Sequence, residues 1–140
     1  MSTAFVTSRR VEFSDTDAAG MMHFVAFFRM MEQAEHELLR SIGLSVSMQD
    51  AAGEISWPRV SANCDFAAAP KFEDVLEIEV QIARLGKKSV TYRHRFLRDG
   101  EELARGEVTA VCCRMKPGHP PKSIVIPAAL AKKLKPFVGS

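Results

Sequence analysis

Two acids, a glycine and a histidine crowd into the run Ser14-Asp15-Thr16-Asp17-Ala18-Ala19-Gly20-Met21-Met22-His23-Phe24. A carboxylate can attack an acyl carbon, or take a proton from a water that does so. The small residues before the histidine let a substrate come close to the backbone. After Phe24 the apolar positions Phe27, Phe28, Met31, Ala34, Leu38, Leu39 and Ile42 follow three- and four-residue steps, the mark of one helix face turned to a core. Arg29, Glu32, Gln33, Glu37 and Arg40 fall largely off that face, and Gly43 is a left-handed stop. The acidic loop therefore opens onto a helix mouth, where free N–H groups and the positive end of the dipole can hold a developing oxyanion. A thiolate, whose conjugate acid has a pKa of about 8.5, leaves without a general acid, whereas an alkoxide or amine needs one. A lone acid at a helix mouth thus fits a thioester better than a peptide.

The remaining elements must hold that loop in place. Residues from about Thr7 to Phe13 read as a first strand, with Val11 and Phe13 on one face. The stretch from Ser45 to Ala52 reads as a short helix or turn ending at Gly53. Beyond it the period drops to two. Val60, Ala62, Cys64 and Phe66 share one strand face, Leu76 to Ile82 another, and Val90 to Phe96 a third. Leu85-Gly86-Lys87 joins the last two as a hairpin, and Asp99-Gly100 turns into a final strand of about Glu102 to Met115. Its face of Ala104, Gly106, Val108, Ala110 and Cys112 is small enough for the long helix to lie against it. Pro127 starts a short terminal helix. The order predicts one α+β domain spanning 1–140, an antiparallel sheet of about five strands wrapped around one long helix. One sheet face and at least one edge strand stay open, which invites a partner subunit.

Composition narrows the field. A chain of 140 residues, 46% hydrophobic and 26% charged, buries a core without disulfides or metal. A net charge of +2 is too small to argue for a nucleic-acid partner, so none is expected and any basic patch must be local, and no apolar run nears the roughly 20 residues that span a membrane. The N-terminus shows no apolar signal segment, so a cytoplasmic location is expected. Cys64, Cys112 and Cys113 read as strand fillers in a reducing compartment. The four histidines match no metal-ligand spacing, so no metal is expected.

The run from Ser14 to Phe24 resembles the signature of the 4-hydroxybenzoyl-CoA thioesterase family of hotdog-fold proteins: acid, variable, acid, two small residues, glycine, two apolar residues, a ring, then the helix. Lys71-Phe72-Glu73-Asp74-Val75-Leu76-Glu77-Ile78 is similar to the family's tract into its second long strand, and Lys87-Lys88-Ser89 to the basic-plus-serine turn after it. The resemblance implies a hotdog domain that assembles as a homodimer or homotetramer, with the site at the subunit interface, hydrolysing an acyl-CoA. It implies that Asp17 is the catalytic carboxylate and that backbone N–H groups at Phe24 or His23 form the oxyanion hole. No separate cofactor is implied, because coenzyme A is part of the substrate.

With that resemblance, catalysis outweighs helix capping for Asp17, while Asp15 reads as ordering the loop. His23 reads as a substrate-pocket residue, although an aromatic is the family's commoner choice there. Lys87, Lys88 and Ser89 read as holding the CoA phosphates; Arg114, Lys116 and Lys122 are balanced between adding to that site and forming a solvated face. Trp57 is balanced between pocket wall and core. Glu32, Glu35 and His36 read as solvated or interfacial. A hotdog dehydratase is disfavoured, since no Pro-Gly follows His23. A non-catalytic acyl-CoA-binding module, or a thioesterase acting on acyl carrier protein, are the alternatives.

Overall fold

The computed structural model describes residues 3–139. Strand β1 (Phe5–Arg10) leads through a 3-10 turn (Phe13–Asp15) and the acidic loop to helix α1 (Phe24–Ser41). Strands β2 (Met48–Asp50), β3 (Gly53–Ser56), β4 (Arg59–Phe66), β5 (Val75–Leu85), β6 (Ser89–Arg98), β7 (Glu101–Val111), β8 (Cys113–Met115) and β9 (Lys122–Ser123) follow, then helix α2 (Ala128–Leu134). The main sheet is antiparallel with order β1-β5-β6-β7-β4 and wraps α1, as expected from the element order. A smaller sheet, β2-β3-β8-β9, adjoins it.

The period-two runs are the reason for this packing. Leu76, Ile78, Val80, Ile82, Val90, Tyr92, His94 and Phe96 all point inward and are buried against Met31, Ala34 and Leu38 of α1. The small face of β7 lets the helix come close: a Cβ at Gly106 would lie 2.8 Å from the Met31 Sδ and 2.8 Å from the Asn63 carbonyl oxygen. The outward face is polar. Arg95 bridges Glu79 at 2.7 Å and Glu102 at 2.6 Å, Arg93 reaches Glu107 at 3.4 Å, and the Thr91 and Thr109 hydroxyls meet at 2.8 Å.

Four local expectations are corrected. The first strand stops at Arg10, because the Asp15 carboxylate accepts the Glu12 N–H (2.8 Å) and winds the chain into the 3-10 turn, leaving Phe13 exposed. The stretch at 45–52 forms β2 and then the turn into Gly53, so the turn alternative holds and the helix does not. Asp50 accepts the Ala52 N–H (3.0 Å) and takes a bidentate bond from Arg114 (2.6 and 3.0 Å), which pins β2 and β3 to β8. The last strand breaks at Cys112, whose N–H donates to the Lys88 carbonyl, so Cys113–Met115 joins the smaller sheet. Finally, a β-bulge between Arg59 and Ser61 throws Val60 outward, 64% exposed, and sets Arg59 opposite inward-facing Ala110.

Candidate active site

The acidic loop closes as a tight hairpin. Thr16 pairs with Met22, the Asp17 N–H donates to the Met21 carbonyl (2.8 Å), and the Gly20 N–H donates to the Asp17 carbonyl (3.0 Å). That closure requires a left-handed residue, and Gly20 supplies φ +79°. The hairpin is anchored where the Met22 N–H donates to the Pro70 carbonyl (2.7 Å) and Met21 pairs with Lys71. Asp17 Oδ1 accepts the N–H groups of Ala19 (2.9 Å) and Met21 (3.3 Å), which fixes the carboxyl plane. Oδ2 takes no part in either bond.

The two acids divide the work by environment. Asp15 is buried, pairs with Arg29 of α1 and accepts the Glu12 N–H, so it fastens the loop to the helix. Asp17 is exposed at the rim of a cleft of about 380 Å³ lined also by Met21, Met22, Phe24, Phe27, Phe66 and Ala67–Ala69. Phe27 packs edge-on against Phe66 (4.9 Å) and Phe96 (5.0 Å), which gives the cleft an apolar wall.

His23 is the N-cap of α1, a role the sequence did not announce because histidine is not among the usual capping residues. Its Nδ1 accepts the Val25 N–H at 3.1 Å, so a neutral ring carries its proton on Nε2. The His23 N–H donates to the Asp15 carbonyl (2.7 Å), and the Ala26 N–H donates to the His23 carbonyl (2.9 Å). His23 is therefore excluded as a backbone oxyanion donor: its N–H is already used. The Phe24 N–H, by contrast, has no acceptor among the described residues and sits at the cleft that Asp17 lines.

The other expected site residues are elsewhere in the chain. Lys87, Lys88 and Ser89 form the β5–β6 turn, level with Val111 and Pro58. That is the opposite end of the sheet from Phe66, about 23 Å away at 3.3 Å per strand residue. There the Lys87 carbonyl accepts the Ile126 N–H (2.8 Å), so the turn is continuous with the basic hairpin of Arg114, Lys116, His119 and Lys122, which lines a hollow of about 580 Å³. Arg114 is spent on Asp50. Trp57 is buried in the core at the same far end, not in the Asp17 cleft, and its Nε1 has no partner among the described residues.

One buried group escaped the sequence reading. Glu35 is 2% exposed and bonds Arg59 Nη1 at 2.9 Å; it is not solvated. Burial, offset in part by the Arg59 guanidinium, pushes its carboxyl up to about 7. Its spacing from Met31 and Leu38 puts it on the apolar face of α1, which was the available signal.

Residues 11–134 match the family described as the thioesterase-like superfamily. The chain is 30% identical over 130 residues to the acyl-CoA thioester hydrolase YbgC of Escherichia coli O6:H1, covering 89% of this chain and 95% of that one. It is 29% identical over 135 residues to the 4-hydroxybenzoyl-CoA thioesterase of Pseudomonas sp. strain CBS-3, covering 91% and 95%. A 1,4-dihydroxy-2-naphthoyl-CoA thioesterase from Synechocystis superposes with a TM-score of 0.84 at 24% identity, covering 95% and 96%, and shares the hotdog fold.

Proposed function

The chain belongs to the thioesterase-like superfamily and is an acyl-CoA thioester hydrolase; within that activity we propose that Asp17 supplies the carboxylate and the Phe24 N–H the oxyanion donor. The observation that carries this reading is the meeting, in one cleft, of a carboxylate held by two backbone amides and a helix-mouth N–H with no acceptor among the described residues. The thioester carbonyl oxygen accepts from Phe24 N–H, and the helix dipole stabilises the charge that grows there. Asp17 then attacks the carbonyl carbon to give a mixed anhydride that water hydrolyses to free acid and carboxylate, or it takes the proton of a water that attacks the carbonyl directly. Coenzyme A departs as a thiolate, and no cofactor beyond the substrate takes part. Capping by His23 keeps the Val25 N–H occupied, so the oxyanion meets a single, directed donor.

The site is completed by a second copy. Strand β4 is an edge, and Phe24 (59% exposed), Phe66 (48%) and Val60 line its open flank. A copy pairing its β4 antiparallel to this one is turned end for end. Lys87 of the partner subunit, Lys88 of the partner subunit and Ser89 of the partner subunit then come beside the Asp17 cleft. The turn and its basic hairpin hold the CoA phosphates, and a homodimer, alone or within a tetramer, is the working unit. Free cysteines and the absence, among the described residues, of any helix long and apolar enough to cross a membrane accord with a cytoplasmic home.

The test is free-thiol release from a panel of acyl-CoA thioesters by the parent and by Asp17→Asn. The variant keeps the oxygen that accepts from Ala19 and Met21, so it should fold and bind CoA normally while losing at least about a hundredfold in turnover. Near-normal turnover by Asp17→Asn would overturn the assignment. Repeating the assay with acyl carrier protein in place of CoA decides the carrier, and binding without thiol release would favour a non-catalytic module.

A further inference from the structure

The Asp17 mechanism makes no use of the most unusual side-chain pair in the molecule. A carboxylate at 3% side-chain exposure is costly unless paired, and Glu35 is paired with Arg59, which lies at the irregularity in the β4–β7 ladder. Strict alternation back from Ala62 would have turned Val60 inward; the irregularity turns Arg59 inward instead, and Arg59 bonds Glu35 at 2.9 Å and approaches Glu32 at 3.9 Å. Bulges that re-aim a side chain favour functional positions. These three residues, with Phe28, Ala62 and Val108, line a small cavity of about 170 Å³ between α1 and β4.

The cavity lies at the Arg59 end of β4, and the Asp17 cleft at the Phe66 end. In the end-for-end dimer of the preceding reading, on which this inference rests, the cavity of one protomer faces the cleft of the other. An acyl group whose carbonyl is held at Asp17 and Phe24 then points its remote end at Glu35 and Arg59 of the partner subunit. We propose that the Glu35–Arg59 pair is a specificity-determining element that reads the remote end of the acyl group and favours one bearing a hydrogen-bond donor there. Two carboxylates around one guanidinium leave acceptor oxygens in excess, so a hydroxyl is bound, a methyl leaves buried charges unsolvated, and a terminal carboxylate is repelled.

The experiment uses two matched sets of CoA thioesters: hexanoyl, 6-hydroxyhexanoyl and adipoyl, and benzoyl, 4-hydroxybenzoyl and 4-carboxybenzoyl. The parent should favour the hydroxylated member in kcat/KM by about ten- to a hundredfold, the range of a hydrogen bond to a charged group, and turn over the carboxylated one least. The double variant Glu35→Met, Arg59→Leu replaces the pair by apolar residues of similar volume, a change that cores tolerate. It should lose or invert that preference, its kcat/KM falling on the hydroxylated member relative to the methyl- or hydrogen-ended one. Glu35→Gln, which keeps the shape, should reduce the preference without abolishing it. An unaltered preference in the double variant, or an equal loss on every member, overturns the proposal. Failure of the parent to hydrolyse any member would instead sink the hydrolase reading on which it rests.

Discussion

Replacing Glu35 by Gln should change how stability depends on pH, and the size follows from two buried groups of opposite sign. Glu35 titrates at 4.5 in an open chain and at about 7 when folded. Between those values the folded protein holds a proton that the unfolded chain has shed, so Glu35 makes stability fall as pH rises, by about 1.4 kcal/mol per unit. His94, fully buried beneath α1, is the reverse. Burial pushes its pKa from 6.5 down to about 4, against the opposing pull of the Met31 and Gly106 backbone. Between those values the unfolded chain binds a proton that the folded one refuses, so His94 makes stability rise with pH by the same amount. From 4.5 to 6.5 the two slopes cancel in the parent. His36, held below its ordinary value by burial, adds a slope of the His94 sign to parent and variants alike, so the quantity to read is the difference between them. The carboxylates lowered by arginine or hydrogen bonds, Glu37, Asp50, Asp74 and Glu102, act at lower pH. Urea midpoints at fixed protein concentration should show Glu35→Gln gaining about 2 kcal/mol on the parent between about pH 5 and 6.5. His94→Leu should lose about as much over the same interval. Parallel pH curves for Glu35→Gln and the parent would show that the buried carboxyl holds no extra proton, and the reasoning would fail.

Other perturbations follow from single contacts. His23→Ala removes the cap and should destabilise by about 1 kcal/mol, whereas His23→Asn, which can cap, should recover most of it in thermal unfolding. Gly106→Ala drives a methyl against the Asn63 carbonyl, which cannot move without shifting β4, and should cost about 1–3 kcal/mol by chemical denaturation. Reversing the basic turn with Lys87→Glu and Lys88→Glu should raise KM several-fold with little change in kcat, and added salt should narrow the gap to the parent. A kcat loss with unchanged KM would put those lysines elsewhere in the mechanism.

The helix and the three long strands were legible because one-sided burial leaves a period in the sequence, and Leu76 to Ile82 or Phe27 to Leu39 carry it plainly. Asp17 and the helix mouth were legible as a motif. What stayed hidden depends on contacts remote in sequence. Nothing local says that Arg114 will clamp Asp50 and make a hairpin of residues 48–56. Val60 fits the strand pattern, and only the ladder shows the bulge that expels it. His23 reads from the sequence both as a pocket residue and as a backbone donor, and only the fold shows that its N–H is given to the Asp15 carbonyl. Glu35 reads as solvated or interfacial because glutamate usually belongs there, although its place between Met31 and Leu38 argues for burial.

The lattice of arginine and glutamate on the outside of the main sheet limits how such molecules can assemble. Laying one of these surfaces flat on another would strip water from Arg93, Arg95, Glu79, Glu102 and Glu107 together, at several kcal/mol per ion. A higher-order particle has to grow around that wet shield, through loops and flanks, and leaves the broad backs of its sheets bathed in solvent.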